Sequence, residues 1–176
     1  SLTAADSGID LLLTLTEKPD ALPALEGVAG LPGIARVAVR LPGGRVEVVS
    51  ERVPVEMMLG GVAVPLPPDA FLQATREGQR LLTGIAVDAA ATATSAADLF
   101  CGIGSYAFPL AARARVHAIE GDAAMVHTLQ RAVKRHAIAA MTAEQRDLFK
   151  RPLTAAELKR FDVAVIQADL PADQVH

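Results

Sequence analysis

Residues 98–105 read DLFCGIGS. Before them runs ATATSAADLF (91–100), which becomes a strand towards its end; after them comes SYAFPLAARA (105–114), which reads as a helix with Pro109 a defect in or just beyond its first turn. Gly102 and Gly104 let the chain turn sharply and let a ligand approach the backbone. The helix that follows offers free N–H groups and the positive end of its dipole.

Working outward, the same alternation repeats. RVHAIE (115–120) is a strand, and DAAMVHTLQRAVKRH (122–136) is the clearest helix, with Met125, Val126, Leu129 and Val133 in one stripe and Asp122 as N-cap. MTAEQRDLF (141–149) holds a short strand and its exit loop, TAAELKRF (154–161) a short helix capped by Thr154, and DVAVI (162–166) an apolar strand of the kind buried in a parallel sheet. Upstream, FLQATREGQRLLTGIAV carries Ala74, Leu81, Leu82 and Ile85 at helical spacing. Strand and helix in alternation predict an α/β fold, a Rossmann-like parallel sheet with helices on both faces. Ligands of such sheets bind beyond the carboxyl ends of the strands, where Asp98 to Ser105, Glu120 and Asp147 stand.

The first 70 residues read differently. GIDLLLTLT (8–16) is β-like, a Pro- and Ala-rich stretch follows, and IARVAVRL (34–41) and RVEVVS (45–50) flank PGG as a hairpin. The expected organisation is a small β-rich or α+β subdomain over 1–70 and a ligand-binding core over 71–176. In the 176 residues, 51% are apolar and 3% aromatic, so the core is mostly Ala, Val, Leu and Ile. A net charge of −3 argues against a surface devoted to gripping phosphate backbones. The single cysteine excludes an intramolecular disulfide and a four-cysteine metal site, and fits a reducing cytoplasm. The four histidines show no ligand spacing, so no metal is expected. No apolar run approaches the roughly 20 residues that span a bilayer. The chain opens on SLTAADSGID, without methionine or a basic signal region, which suggests a processed or trimmed fragment.

Two cofactor classes fit the glycine turn. GIGSYA matches the dinucleotide pattern G-x-G-x-x-A, with Glu120 about 20 residues on. S-adenosylmethionine is the other, and electrostatics favour it. Asp98 is unwelcome beside a pyrophosphate and suits an ammonium and a sulfonium. Glu120, ending the next strand, can accept both ribose hydroxyls, and Asp147, after the third, can accept from the adenine amino group. Three acids at three strand ends are more specific than the glycines alone.

FLQAT (71–75), ADLFCGIGSYAFPLA (97–111), VHAIEGDAAMV (116–126), RDLF (146–149) and FDVAVI (161–166) resemble the RNA uracil-5-methyltransferases, which make 5-methyluridine in transfer or ribosomal RNA. The resemblance implies a class I methyltransferase core that uses S-adenosylmethionine, with RNA as partner. It implies that Gln73 hydrogen-bonds the cofactor, that Phe100 contacts it through backbone and ring, that Gly102, Gly104 and Ser105 line its methionine end, and that Glu120 and Asp147 take ribose and adenine. The family's Asp-Pro-Pro-Arg does not recur: QADLPADQVH (167–176) stands there, with Gln167 and Asp169 as candidates for its acid. The family's nucleophilic cysteine and general-base glutamate fall beyond His176, so no catalytic residue is assigned and this stretch is expected to bind cofactor without turnover. A methyltransferase of another target and a non-catalytic cofactor-binding module are the alternatives.

Cys101 is not read as the nucleophile. The thiolate must face the base across from the donor methyl, whereas Cys101 lies inside the cofactor turn, where Asp98 and Glu120 would raise its pKa. Lys134, Arg135, Lys150, Arg151, Lys159 and Arg160 come in basic pairs, read either as a solvated face or as a phosphate-contacting rim.

Overall fold

The computed structural model describes residues 1–17, 23–73 and 75–166. Ala74, Gln167, Asp169 and His176 lie outside the described residues. The chain divides into two compact units, Ser1–Met58 with Ala63–Ala70, and Leu59–Val62 with the chain from Phe71.

In the first unit, β1 (Leu2–Ala5), β2 (Gly8–Thr14), β3 (Ile34–Arg40) and β4 (Val46–Glu51) form one sheet in that order. β1 and β4 pair antiparallel with their neighbours, and β2 and β3 run parallel. The parallel pair needs a crossover, and the Pro- and Ala-rich stretch supplies α1 (Pro23–Ala29), a helix not expected from the sequence. Pro23 fits its first position, where a missing N–H is harmless. β5 (Glu56–Leu59) and β6 (Val62–Pro65) make a separate hairpin. The pairing of β2 with β3 sets Asp10 opposite Arg36, and both are buried. Arg36 donates from Nε to Asp10 Oδ1 at 2.9 Å, from Nη2 to Oδ2 at 2.6 Å and from Nη1 to the Leu66 carbonyl at 2.8 Å. The guanidinium is thus almost fully satisfied, and it ties the sheet to the segment after β6.

In the second unit, β7 (Ser95–Leu99), β8 (Arg115–Glu120), β9 (Met141–Gln145) and β10 (Val163–Ile166) form a parallel sheet in the order β10-β7-β8-β9. Side chains alternate across it. Ala96, Asp98, Val116 and Ala118 face α3 (Ala107–Ala111) and α4 (Ala123–Arg135), which bury Phe108, Leu110, Val126, Leu129 and Ala132. On the other face Ala97, Leu99 and Ile119 gather Leu148, Leu153 and Phe161 from the connection to β10, which includes α5 (Ala155–Leu158). Asp122 caps α4 by accepting from the Met125 N–H, and Thr154 caps α5 in a reciprocal box with Glu157. Pro109 is the third residue of α3, where no intrahelical N–H is needed.

Two elements differ from expectation. α2 (Arg76–Ala89) forms, but Leu81, Leu82 and Ile85 face outward; its inner side is small and polar, with Gln79 donating to Thr83 and Thr83 to the Ser105 carbonyl. β10 is half-exposed, because among the described residues it pairs on one side only, with β7. No helix among the described residues is long and apolar enough to cross a membrane.

Replacing Arg36 by Met leaves Asp10 buried without its partner. Urea denaturation should show the first unit destabilised by about 3–5 kcal/mol, and Asp10→Leu added to it should recover much of the loss.

Candidate cofactor site

The rim at the carboxyl ends of β7, β8 and β9 collects most of the residues expected to bind a ligand. β7 ends at Leu99, and Phe100 then adopts φ +58°, a left-handed torsion that a non-glycine side chain seldom takes. The strain is held from both sides. The Cys101 N–H donates to the Ile119 carbonyl at 3.1 Å, and the Phe100 ring packs on the core beside Leu99 and Leu148. Gly102 follows at φ +54°, open on the side where a Cβ would stand. Gly104, at φ +90°, is closed: a Cβ there would come within 2.8 Å of Leu129 and Phe108. One glycine thus leaves room for a ligand, and the other lets α3 press onto α4. The Phe108 N–H donates to the Gly104 carbonyl, which starts α3 directly from the turn. Ser105 is half-buried, and its carbonyl accepts from α2.

Glu120 fastens this turn. Its Oε2 accepts the Gly102 N–H at 2.9 Å, and its Oε1 accepts those of Gly121 and Asp122 at 2.7 and 2.9 Å. A carboxylate offers about four lone-pair sites, so one is left, on Oε2.

Asp98 is one residue from the end of β7, on the α3/α4 face, and is wholly buried. Neither of its oxygens has a hydrogen-bond partner. Burial pushes its carboxyl up to about 7; the Ala107 N–H, short of hydrogen-bond geometry, pulls it partly back, and the charge of Glu120 adds to the rise. Strand alternation turns Asp98 inward, onto the face covered by α3 and α4. Burial and then Asp98 raise the Tyr106 hydroxyl. Burial, Asp98 and Glu120, in that order, drive the Cys101 thiol well above its ordinary range, so thiolate is suppressed there.

Asp147 lies two residues past β9, its Cα 3.7 Å from where a Cβ on Gly121 would stand. Its Oδ1 accepts from the Phe149 and Lys150 N–H groups, and Lys150 Nζ sits 3.2 Å from Oδ2 and holds its pKa down. Arg146 shapes the loop that carries it, donating to the carbonyls of Arg151 and Pro152 and at 2.6 Å to Glu157. That pairing, with help from Thr154, lowers Glu157 to about 2. Two rim residues escaped sequence reasoning. Phe149 stands 85% exposed beside Phe100, ring centroids 5.0 Å apart, and Arg146 orders the loop. The signal for both was RDLF, in which only the acid was read. Gln73 is half-buried ahead of α2. No cluster of metal-ligating side chains occurs among the described residues.

The four-stranded parallel sheet with this turn is the fold of class I methyltransferases. The Pyrococcus abyssi tRNA (uracil-54, C5)-methyltransferase, solved with S-adenosyl-L-homocysteine, superposes with a TM-score of 0.70 at 16% identity, over 96% of this chain and 42% of its own. The M. jannaschii tRNA m1G37 methyltransferase gives 0.63 at 14% identity, over 97% and 53%. No family model matches the chain. By sequence the chain is homologous to curated proteins named RNA methyltransferases, themselves called uncharacterized. One from Rhizobium meliloti is 40% identical over 91% of this chain and 38% of its own length. One from Zymomonas mobilis is 39% identical over 94% and 42%. The chain therefore spans about two fifths of the length of these two relatives. The likeness to RNA methyltransferases drawn from the motifs is borne out.

Asp98 also sets a pH dependence. Its folded pKa, about 7, lies above the unfolded 3.8, so the native state binds the extra proton between the two and loses stability as pH rises through that window. Thermal and urea unfolding should find Asp98→Asn more stable than the parent at pH 8, by of order 2–4 kcal/mol, with the gap closing at pH 4.

Proposed function

We propose that this chain is the cofactor-binding part of an enzyme that transfers methyl from S-adenosylmethionine to C5 of uridine in transfer or ribosomal RNA. The observation that carries the cofactor choice is the buried, orphaned carboxylate of Asp98, four residues ahead of Gly102 on the strand that leads into the glycine turn. A buried acid without a partner suits an ammonium and repels a pyrophosphate. S-adenosylmethionine supplies a methyl group on a positively charged sulfur. The protein's part is to bind and orient it. Gly102, Gly104 and Ser105 line the methionine end, and Asp98 compensates its charge. Glu120 holds the ribose end, and because three of its acceptor sites already carry backbone N–H groups, it takes one hydroxyl rather than two unless the turn rearranges. Asp147 accepts from the adenine amino group, the exposed ring of Phe149 offers adenine a stacking face, and Gln73 contributes from the segment before α2. Cys101 is not the attacking thiolate, being buried and held protonated.

The RNA target is supported by the curated relatives' names and by the motifs over 71–166. Such a substrate fits action in the cytoplasm. The full-length Rhizobium meliloti relative, given RNA and methyl-labelled cofactor, should place the label in 5-methyluridine; label in another nucleoside would redirect the target.

Calorimetry with S-adenosylhomocysteine should give saturable binding, and with NAD none; the reverse would overturn the cofactor. Glu120→Ala should weaken binding by roughly 1.5–3 kcal/mol, a charge-assisted contact and the turn's fastening both lost. Binding should tighten about tenfold from pH 5.5 to 7.5 as Asp98 gives up its proton, and Asp98→Asn should flatten that slope.

A further inference from the structure

The opposite end of the parallel sheet has a different character. Its N-terminal edge is laid out by main-chain bonds: the Asp162 N–H to the Ser95 carbonyl, the Arg115 N–H to the Thr94 carbonyl, and the Val116 N–H to the Ala140 carbonyl. Near that edge stand four exposed cations from three segments, the α3–β8 connection, the end of α4 and the turn after α5. Arg160 follows α5, Arg113 follows α3, Arg115 opens β8, and Lys134 lies in the last turn of α4. Lys159 stands next to Arg160. Two acids occur at this end, Asp88 near the end of α2 and Asp162. The Asp162 carboxylate is occupied, accepting from the N–H and hydroxyl groups of Thr94 and Ser95 at 2.8–3.1 Å, bonds that hold its pKa low. At the cofactor end the cations are mostly paired, Lys150 with Asp147 and Arg146 with Glu157, beside the acids Glu120 and Asp122, with Arg151 exposed in the same loop. The chain's net charge of −3 hides this separation into poles.

We propose that the N-terminal edge of the sheet is a polyanion-binding surface that holds an RNA backbone at the end of the sheet away from the cofactor. Four strands about 4.8 Å apart make an edge of roughly 15 Å, along which a short run of backbone phosphates can lie. Arg113 with Arg115, Lys134 and Arg160 come from three separate stretches of the second unit, so they are spaced by the fold rather than by one flexible tail. They carry charge without base-reading groups, so the contact positions RNA and does not read its sequence. The choice of RNA among polyanions rests on the function proposed above; the surface itself does not.

The test combines Arg113→Ser, Arg115→Ser, Lys134→Ser and Arg160→Ser in one variant. Arg45→Ser with Arg80→Ser serves as a control that removes charge elsewhere. Fluorescence anisotropy with a labelled 20-nucleotide single-stranded RNA, between 50 and 200 mM NaCl, reads affinity and salt slope. Calorimetry with S-adenosylhomocysteine reports on the other pole, and circular dichroism on folding. The parent and the control should bind the RNA alike. The fourfold variant should bind at least tenfold more weakly, with a salt slope shallower by about 3, at unchanged S-adenosylhomocysteine affinity. Equal RNA binding by parent and fourfold variant, an equal loss in the control, or no RNA binding by the parent would each overturn the surface. Failure of S-adenosylhomocysteine to bind a parent that still binds RNA would overturn the cofactor reading and leave the surface standing. Should the fourfold variant misfold, Arg113→Ser with Lys134→Ser must still lower the slope, by about half as much.

Discussion

The cofactor end of the sheet depends on one carboxylate gripping backbone. Glu120 closes the end of β8 by accepting from the two N–H groups that follow it, and reaches across to the Gly102 N–H that begins the turn after β7. Remove that bridge and the Gly102 N–H loses its partner, while the Gly121 and Asp122 N–H groups at the entry to α4 lose the one oxygen they share. The glycine turn is therefore not a free loop awaiting a ligand. It is already shaped, so binding need not bear the full cost of ordering it.

The second constraint is Asp98. A wholly buried acid with no partner is a standing instability, and a fold keeps one only where something else compensates. Its place on the face covered by α3 and α4 follows from strand alternation alone: Asp98 pairs in register with Ala118, whose small side chain leaves it room. Together the two acids divide the labour at the rim, one holding backbone in place and one holding charge in reserve.

Much of this was legible in the sequence because it rests on local rules. The glycines announced the turn, Asp122 and Thr154 announced their helices, and the β-branched runs announced strands. What was not legible depended on who faces whom. DVAVI looked like a strand buried in a parallel sheet, yet it is half-exposed, since among the described residues it pairs on one side only. The apolar residues of α2 looked like a core stripe and point outward, because Gln79 and Thr83 make the inner contacts. α1 was hidden by its Pro- and Ala-rich composition. Asp98 was recognised as an acid near a ligand, but its burial needs three dimensions. Phe149 was passed over since one exposed aromatic in a loop carries no periodic signal.

Phe100 narrows what evolution can put at the junction of strand and turn. Glycine or asparagine would adopt its left-handed backbone easily, but either would strip a ring from the cluster around Leu99 and Leu148. A valine or isoleucine would cover those leucines and refuse the torsion. Shape and dihedral angle thus make contrary demands of one position, and few side chains besides an aromatic one meet both.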